Sequence, residues 1–246
     1  MDPDPINKTG VPVSYVPGYD FPRIVAFSGK FGTGKDSGAT CVLEYLATNY
    51  AVLNANGTFE PPLVDHLKFA DALKRSSSEM TGVALVDQYR ADGKAKEIPG
   101  LDMSVGRFQQ LLGTVARQQI HPDIWMLPVL NQTRSSGKFT VISDCRFRNE
   151  AIGIQKMGGL VIRLNRHPDL ISEESKAGRD PNHISETDLD DYPNFDLVIQ
   201  NDSFDHHYLL TILAFLSTMK NRSDGIIKAH HERASEILAR LPKEGP

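Results

Sequence analysis

Ile24-Val25-Ala26-Phe27-Ser28-Gly29-Lys30-Phe31-Gly32-Thr33-Gly34-Lys35-Asp36-Ser37 sets the architecture of this chain. An apolar run of buried-strand type ends at Ser28, and Gly29-x-x-x-x-Gly34-Lys35 follows at once. A strand, a glycine-rich turn and a lysine at the mouth of a helix make up the phosphate-binding loop pattern. Glycines let the backbone curl until successive N–H groups converge on phosphate oxygens. The helix adds its unbonded N-terminal donors and the positive end of its dipole, and the lysine reaches the outer phosphates. One position departs from the pattern: the Ser/Thr usual after the lysine is Asp36, with Ser37 next.

Beyond this stretch, β-type runs alternate with helical patterns. Strands are expected at Ile24–Phe27, Val64–Phe69, Thr140–Ser143, Leu160–Leu164 and Leu197–Ile199, and helices at 35–48, 71–81, 104–120, 123–135, 147–157 and 204–220. That alternation predicts an α/β domain over 23–220 with a parallel sheet covered on both faces. The last helix carries Leu209, Ile212, Leu213, Leu216 and Met219 as a core-facing stripe. Two stretches interrupt the order. Residues 82–103 are polar and hold Gly93, Pro99 and Gly100. Residues 165–195 are long, acidic and glycine-containing, and in a phosphate-loop enzyme such a segment reads as a lid. Residues 1–22, with five prolines and two glycines, read as an N-terminal arm. Helical spacing over 225–241 marks 221–246 as a C-terminal extension that packs on the domain or on a second subunit, as in a homodimer.

Composition narrows the function classes. The net charge of −4 carries no basic field for nucleic acid, and 40% hydrophobic residues suffice for a large core. The two cysteines, Cys41 and Cys145, have no metal or disulfide spacing and suit a reducing compartment. No run reaches the length of a membrane span, and the N-terminus lacks a signal-peptide layout, so a cytoplasmic protein is expected.

Several polar residues stand where ligands bind in such folds. Asp144 follows the run Val141-Ile142-Ser143, at the strand end where parallel sheets take their ligands, and serves as a Mg²⁺ or water-shell ligand or as a helix cap. Arg146 and Arg148 come next, and cations beside a phosphate site neutralise charge on a transferred phosphoryl group. Asp71 is placed to cap the helix after the second strand, and Lys74 lies on its first turn as a contact for an acceptor phosphate. Arg107, Gln110 and Thr114 share one helix face at i, i+3 and i+7. A guanidinium, an amide and a hydroxyl there suit a nucleotide, although a solvated face has the same spacing. Adjacent pairs His206-His207 and His230-His231 point to different helix sides and make poor metal sites. Trp125 belongs to the core or stacks on a base.

Taken together, Ser28-Gly29 through Gly34-Lys35-Asp36-Ser37, Ala72-Leu73-Lys74 and Arg107-x-x-Gln110-x-x-Gly113-Thr114 resemble the bacteriophage deoxynucleoside monophosphate kinases. Asp123-x-Trp125, Ser143-Asp144-Cys145-Arg146-x-x-x-Glu150, Gly158-Gly159, Arg166, His183-Ile184-Ser185-Glu186 and Phe195-Asp196 through Asp202 continue the resemblance over roughly 24–220. Animal-type phosphomevalonate kinases look like relatives with the same Gly-Lys-Asp signature.

The resemblance implies a P-loop, three-layer fold of nucleoside-monophosphate-kinase type, with a five-stranded parallel sheet, a lid and an acceptor-binding insertion. It also implies the reaction ATP + dNMP → ADP + dNDP with Mg²⁺. By position, Gly29, Gly32, Thr33, Gly34, Lys35 and Ser37 would hold the ATP phosphates. Lys74 and Arg107 would hold the acceptor phosphate, with Gln110, Thr114, Trp125 and Glu150 around its sugar and base. Asp36, Ser37 and Asp144 would face Mg²⁺ directly or through water. Lys35, Asp36, Asp144 and Arg146 would line the transfer site, with Arg166 supplied by the lid. Family members can carry a basic residue where this chain has Phe31 or Gly32; here Lys30 is the extra cation. The alternatives are a kinase of another acceptor, such as phosphomevalonate or a hydroxymethylated DNA base, and a non-catalytic ATP sensor.

Overall fold

The computed structural model describes residues 23–49, 52–53, 59–60, 64–172, 181–203 and 207–219. The expected arm at 1–22, the extension at 221–246 and residues 173–180 of the expected lid lie outside them.

In chain order, β1 (Ile24–Ser28) leads into α1 (Lys35–Asn49), and a small hairpin follows, β2 (Val52–Leu53) with β3 (Phe59–Glu60). Then come β4 (Val64–Leu67), α2 (Ala70–Thr81), α3 (Leu85–Tyr89), α4 (Ala91–Ala95), β5 (Glu97–Ile98), β6 (Leu101–Ser104) and α5 (Val105–Gln119). The second half runs α6 (Met126–Ser136), β7 (Phe139–Cys145), α7 (Arg148–Lys156), β8 (Leu160–Asn165), a short α8 (Ile184–Thr187), β9 (Leu197–Gln200) and α9 (His207–Met219).

All five expected strands are present and form one sheet in the order β4-β7-β1-β8-β9, every neighbouring pair parallel. Alternation along β1 shows why both faces are covered. Val25 and Phe27 point to one side, where α1 (Ala39, Cys41, Val42, Tyr45, Leu46) and α9 (Leu209, Ile212, Leu213, Leu216) close a core. Ile24 and Ala26 point to the other, against Met126, Val129 and Leu130 of α6 and Ala151 and Ile154 of α7. The result is an α/β domain of three layers, helices over both faces of a parallel sheet.

Residues 82–103 are ordered: α3, α4 and the antiparallel β5–β6 hairpin link α2 to α5. Buried Gln88 and Gln109 fasten this unit, the Gln109 amide donating to the Gln88 carbonyl at 3.1 Å and to its side-chain oxygen at 2.7 Å. Such a paired polar contact leaves no periodic signature, which is why the stretch reads as irregular in the sequence. Among the described residues, no helix is long and apolar enough to cross a membrane.

Candidate functional site

The loop from Gly29 to Gly34 leaves β1 between β7 and β8, at the C-terminal edge of the sheet. Close approach dictates its glycines. A Cβ on Gly29 would lie 2.4 Å from the Leu164 carbonyl oxygen and 2.6 Å from Thr33 Oγ1. Gly34, at φ +92°, has Asn201 Nδ2 and the Tyr208 hydroxyl each 2.9 Å from where a Cβ would stand. The loop's curl is fixed through its carbonyls. Asn201 Nδ2 donates to Thr33 at 3.0 Å, the Tyr208 hydroxyl to Gly34 at 3.4 Å and Thr33 Oγ1 to Lys30 at 2.9 Å. Arg166, immediately after β8, donates through Nη1 to the Gly32 carbonyl at 3.3 Å. The buried Lys35 ammonium folds back onto the Lys30 carbonyl and lies 3.5 Å from Thr33 Oγ1.

Asp36, the second residue of α1, stands mostly exposed at the mouth of this loop. Its Oδ1 accepts from Lys68 Nζ at 2.7 Å and from Ser143 Oγ at 3.0 Å, and Ser143 in turn meets His66 Nε2 at 3.0 Å. Partial desolvation by the surrounding loop raises the pKa of the solvent-facing Asp36 carboxyl, but Lys68, Ser143 and Lys35 outweigh it and hold it below the usual range. Asp36 is therefore a carboxylate at neutral pH. Ser37, on the first turn of α1, is half-buried.

Asp144, in the last residues of β7, caps a helix other than the one that follows it. Its oxygens accept the Phe69 N–H at 2.8 Å and the Ala70 N–H at 3.0 Å, at the start of α2. Asp71, expected to cap α2, instead accepts from the Tyr89 hydroxyl at 2.7 Å, and no side chain of the capping residue itself serves that end. Burial pushes the Asp144 carboxyl up, opposed by those two N–H groups, Lys74 and Arg146.

Glu150 and Glu186 bracket Arg146. The buried Glu150 accepts the backbone N–H of Arg146 at 2.8 Å and of Phe147 at 3.1 Å, and pairs with Arg117 at 2.7 Å. Its carboxylate is thus engaged by the protein. The Arg146 guanidinium pairs with Glu186, whose second oxygen accepts the Phe31 N–H at 3.0 Å. Arg148 is tied down as well, to Asp188 and Asp191.

Of the residues expected on the acceptor side, Lys74 lies on α2 and Arg107, Gln110 and Thr114 on α5, two helices in contact, whereas Trp125 precedes α6 and Glu150 lies on α7. Lys74 Nζ sits 3.9 Å over the Tyr89 ring, and burial lowers its pKa. Arg107 and Gln110 are exposed on α5 and Thr114 is half-buried. Trp125 is buried, with Nε1 donating to the Gly113 carbonyl at 3.2 Å, so it braces α5 against α6. Both cysteines are buried and held as thiols, Cys41 with its pKa pushed to about 12 and Cys145 well above its ordinary value.

Lys68, Ser143, Glu186, Asn201 and Tyr208 were given no role by sequence reasoning. Lys68 was open to the logic applied to Asp144, as a charged residue at the end of a strand run. Asn201 and Tyr208 act from 168 and 174 residues away, and no local pattern marks them. The chain matches no protein-family model and no curated protein by sequence.

Proposed function

We propose that this protein is an ATP-dependent kinase that converts deoxynucleoside monophosphates to diphosphates, with Mg²⁺. The observation that carries the reading is convergence at one edge of a parallel sheet. A curled glycine loop, Lys35 and Asp36 at the start of α1, Arg146 beyond β7 and Arg166 beyond β8 all meet there. Ligands of open α/β sheets bind at such an edge.

In this reading the loop's N–H groups and Lys35 hold the donor phosphates. Lys74 and Arg107 draw the acceptor phosphate in from the α2–α5 side. An oxygen of that phosphate attacks the γ-phosphorus as the bond to ADP breaks, so positioning and cations supply most of the catalysis. Arg146 and Arg166 stand on the side where charge spreads over the transferred group. Asp36 fits a hard cation, being an ionised oxygen donor at the loop mouth. Among the described residues no group of three or more His, Cys, Asp or Glu is arranged to hold a metal alone. Mg²⁺ held at Asp36 would neutralise charge on the triphosphate. The test is ADP release with Mg²⁺ over a panel of dNMPs, NMPs and phosphomevalonate. Turnover confined to dNMPs supports the reading. Preference for phosphomevalonate overturns the acceptor assignment, and ATP binding without turnover of any acceptor overturns the kinase assignment.

A further inference from the structure

We propose that Glu186 is a positioning residue of the transfer site, acting through Arg146 to hold that guanidinium at the mouth of the glycine loop. The inference rests on the kinase reading and adds to it a residue without an assigned role. Glu186 is buried at 8% exposure, and its carboxylate joins the residue after β7 to the glycine loop. One oxygen pairs with Arg146 Nη1, and the other accepts the Phe31 N–H at 3.0 Å. The Ser185 carbonyl accepts from the same Nη1 at 3.2 Å. A guanidinium has five donors in a fixed fork. Anchoring one amino group leaves the rest of that fork for a phosphoryl group.

A carboxylate bonded to a loop N–H and an arginine also imitates a phosphate oxygen, so a displaceable plug is the competing reading. The surroundings favour a fixed strut. Three residues after Glu186, Leu189 is 2% exposed in the core beside α6 and α7, and Tyr192 is 8% exposed in the same cluster. Asp188 accepts the Arg148 N–H at 2.7 Å. Asp190 bridges Lys30 at 2.8 Å and Arg163 at 2.9 Å. Glu186 and Asp190 thus grip adjacent loop residues, Phe31 and Lys30, from a segment rooted in the core. Displacing Glu186 would mean breaking these contacts together.

A double-mutant comparison decides between the two roles, using the full chain. Glu186→Ala should lower kcat on the order of 100-fold, as misplacing a reacting group does, with the Kd of a fluorescent ATP analogue within about twofold of wild type. Glu186→Gln, which keeps an acceptor oxygen, should recover part of the rate. In an Arg146→Ala background, Glu186→Ala should cost almost nothing further, because the residue it works through is gone. Additive losses would overturn the proposal, and so would an ATP analogue that binds much tighter to Glu186→Ala, the mark of a plug. If wild type turns over no acceptor, the kinase reading fails, and hydrogen exchange of the 29–37 peptide decides this inference. Protection lost in both Glu186→Ala and Arg146→Ala supports the coupling, and unchanged exchange refutes it.

Discussion

In the glycine loop, Phe31 is 9% exposed, Thr33 2% and Lys35 8%, while along α5 Leu111 is 37% and Val115 51% exposed, with Arg107 and Gln110 open to solvent beside them. The donor side of the proposed site is built from backbone, with carbonyls pinned by Asn201, Tyr208, Thr33 and Arg166. The acceptor side is built from long side chains on helix surfaces. A site made of pinned backbone is rigid before its ligand arrives, whereas a site made of exposed Arg and Gln side chains is ordered by the ligand it binds. The contrast predicts strict phosphate chemistry on one side and tunable acceptor choice on the other.

The largest effect is expected at Lys35. Lys35→Ala should reduce turnover on the order of 10³-fold or more, with little change in Tm, since its ammonium folds onto loop oxygens of Lys30 and Thr33. Near-normal kcat in a folded variant would break the donor half of the comparison. A smaller and one-sided effect is expected across the sheet edge. Lys74→Ala and Arg107→Ala should each remove a charge-assisted bond of roughly 1.5–3 kcal/mol, lowering kcat/KM for dNMP at least about tenfold while ATP affinity holds. A variant that loses ATP binding in step with dNMP use would move that residue to the donor side.

The smallest effect concerns pH and lies between the two regions. Burial raises the Glu150 carboxyl from 4.5 to about 7, with Arg117 and the Arg146 N–H opposing. Between those values the folded chain keeps a proton that the unfolded chain releases, so this group's contribution to stability falls as pH rises from about 4.5 to about 7. Glu150→Gln should flatten that part of the Tm–pH curve. Identical slopes in wild type and variant would place the Glu150 titration elsewhere.

The two regions were also unequally legible in the sequence. Glycine spacing, the apolar run Ile24–Phe27 and Lys35 are local signals, and they pointed to the strand, the turn and α1 in their right order. The five strands and six long helices followed from periodicity in the same way. What escaped was carried by distant pairs. Asp144 reaches 74 and 75 residues back to cap α2, Glu186 reaches 155 residues back to Phe31, and the Gln88–Gln109 contact orders a stretch that reads as loop. Trp125 and Glu150 were placed around the acceptor only by resemblance, Trp125 reading first as core, and the fold engages both with backbone groups of the protein.

The central claim is that a γ-phosphoryl group passes from ATP to the phosphate of a deoxynucleoside monophosphate at the loop's edge of the sheet. Incubation with Mg²⁺, a dNMP and ATP labelled at its γ-phosphate, followed by separation of the products, tests it directly. The account predicts label in the deoxynucleoside diphosphate, lost with Lys35→Ala. Label found only in inorganic phosphate, or remaining in ATP with every dNMP, would contradict it.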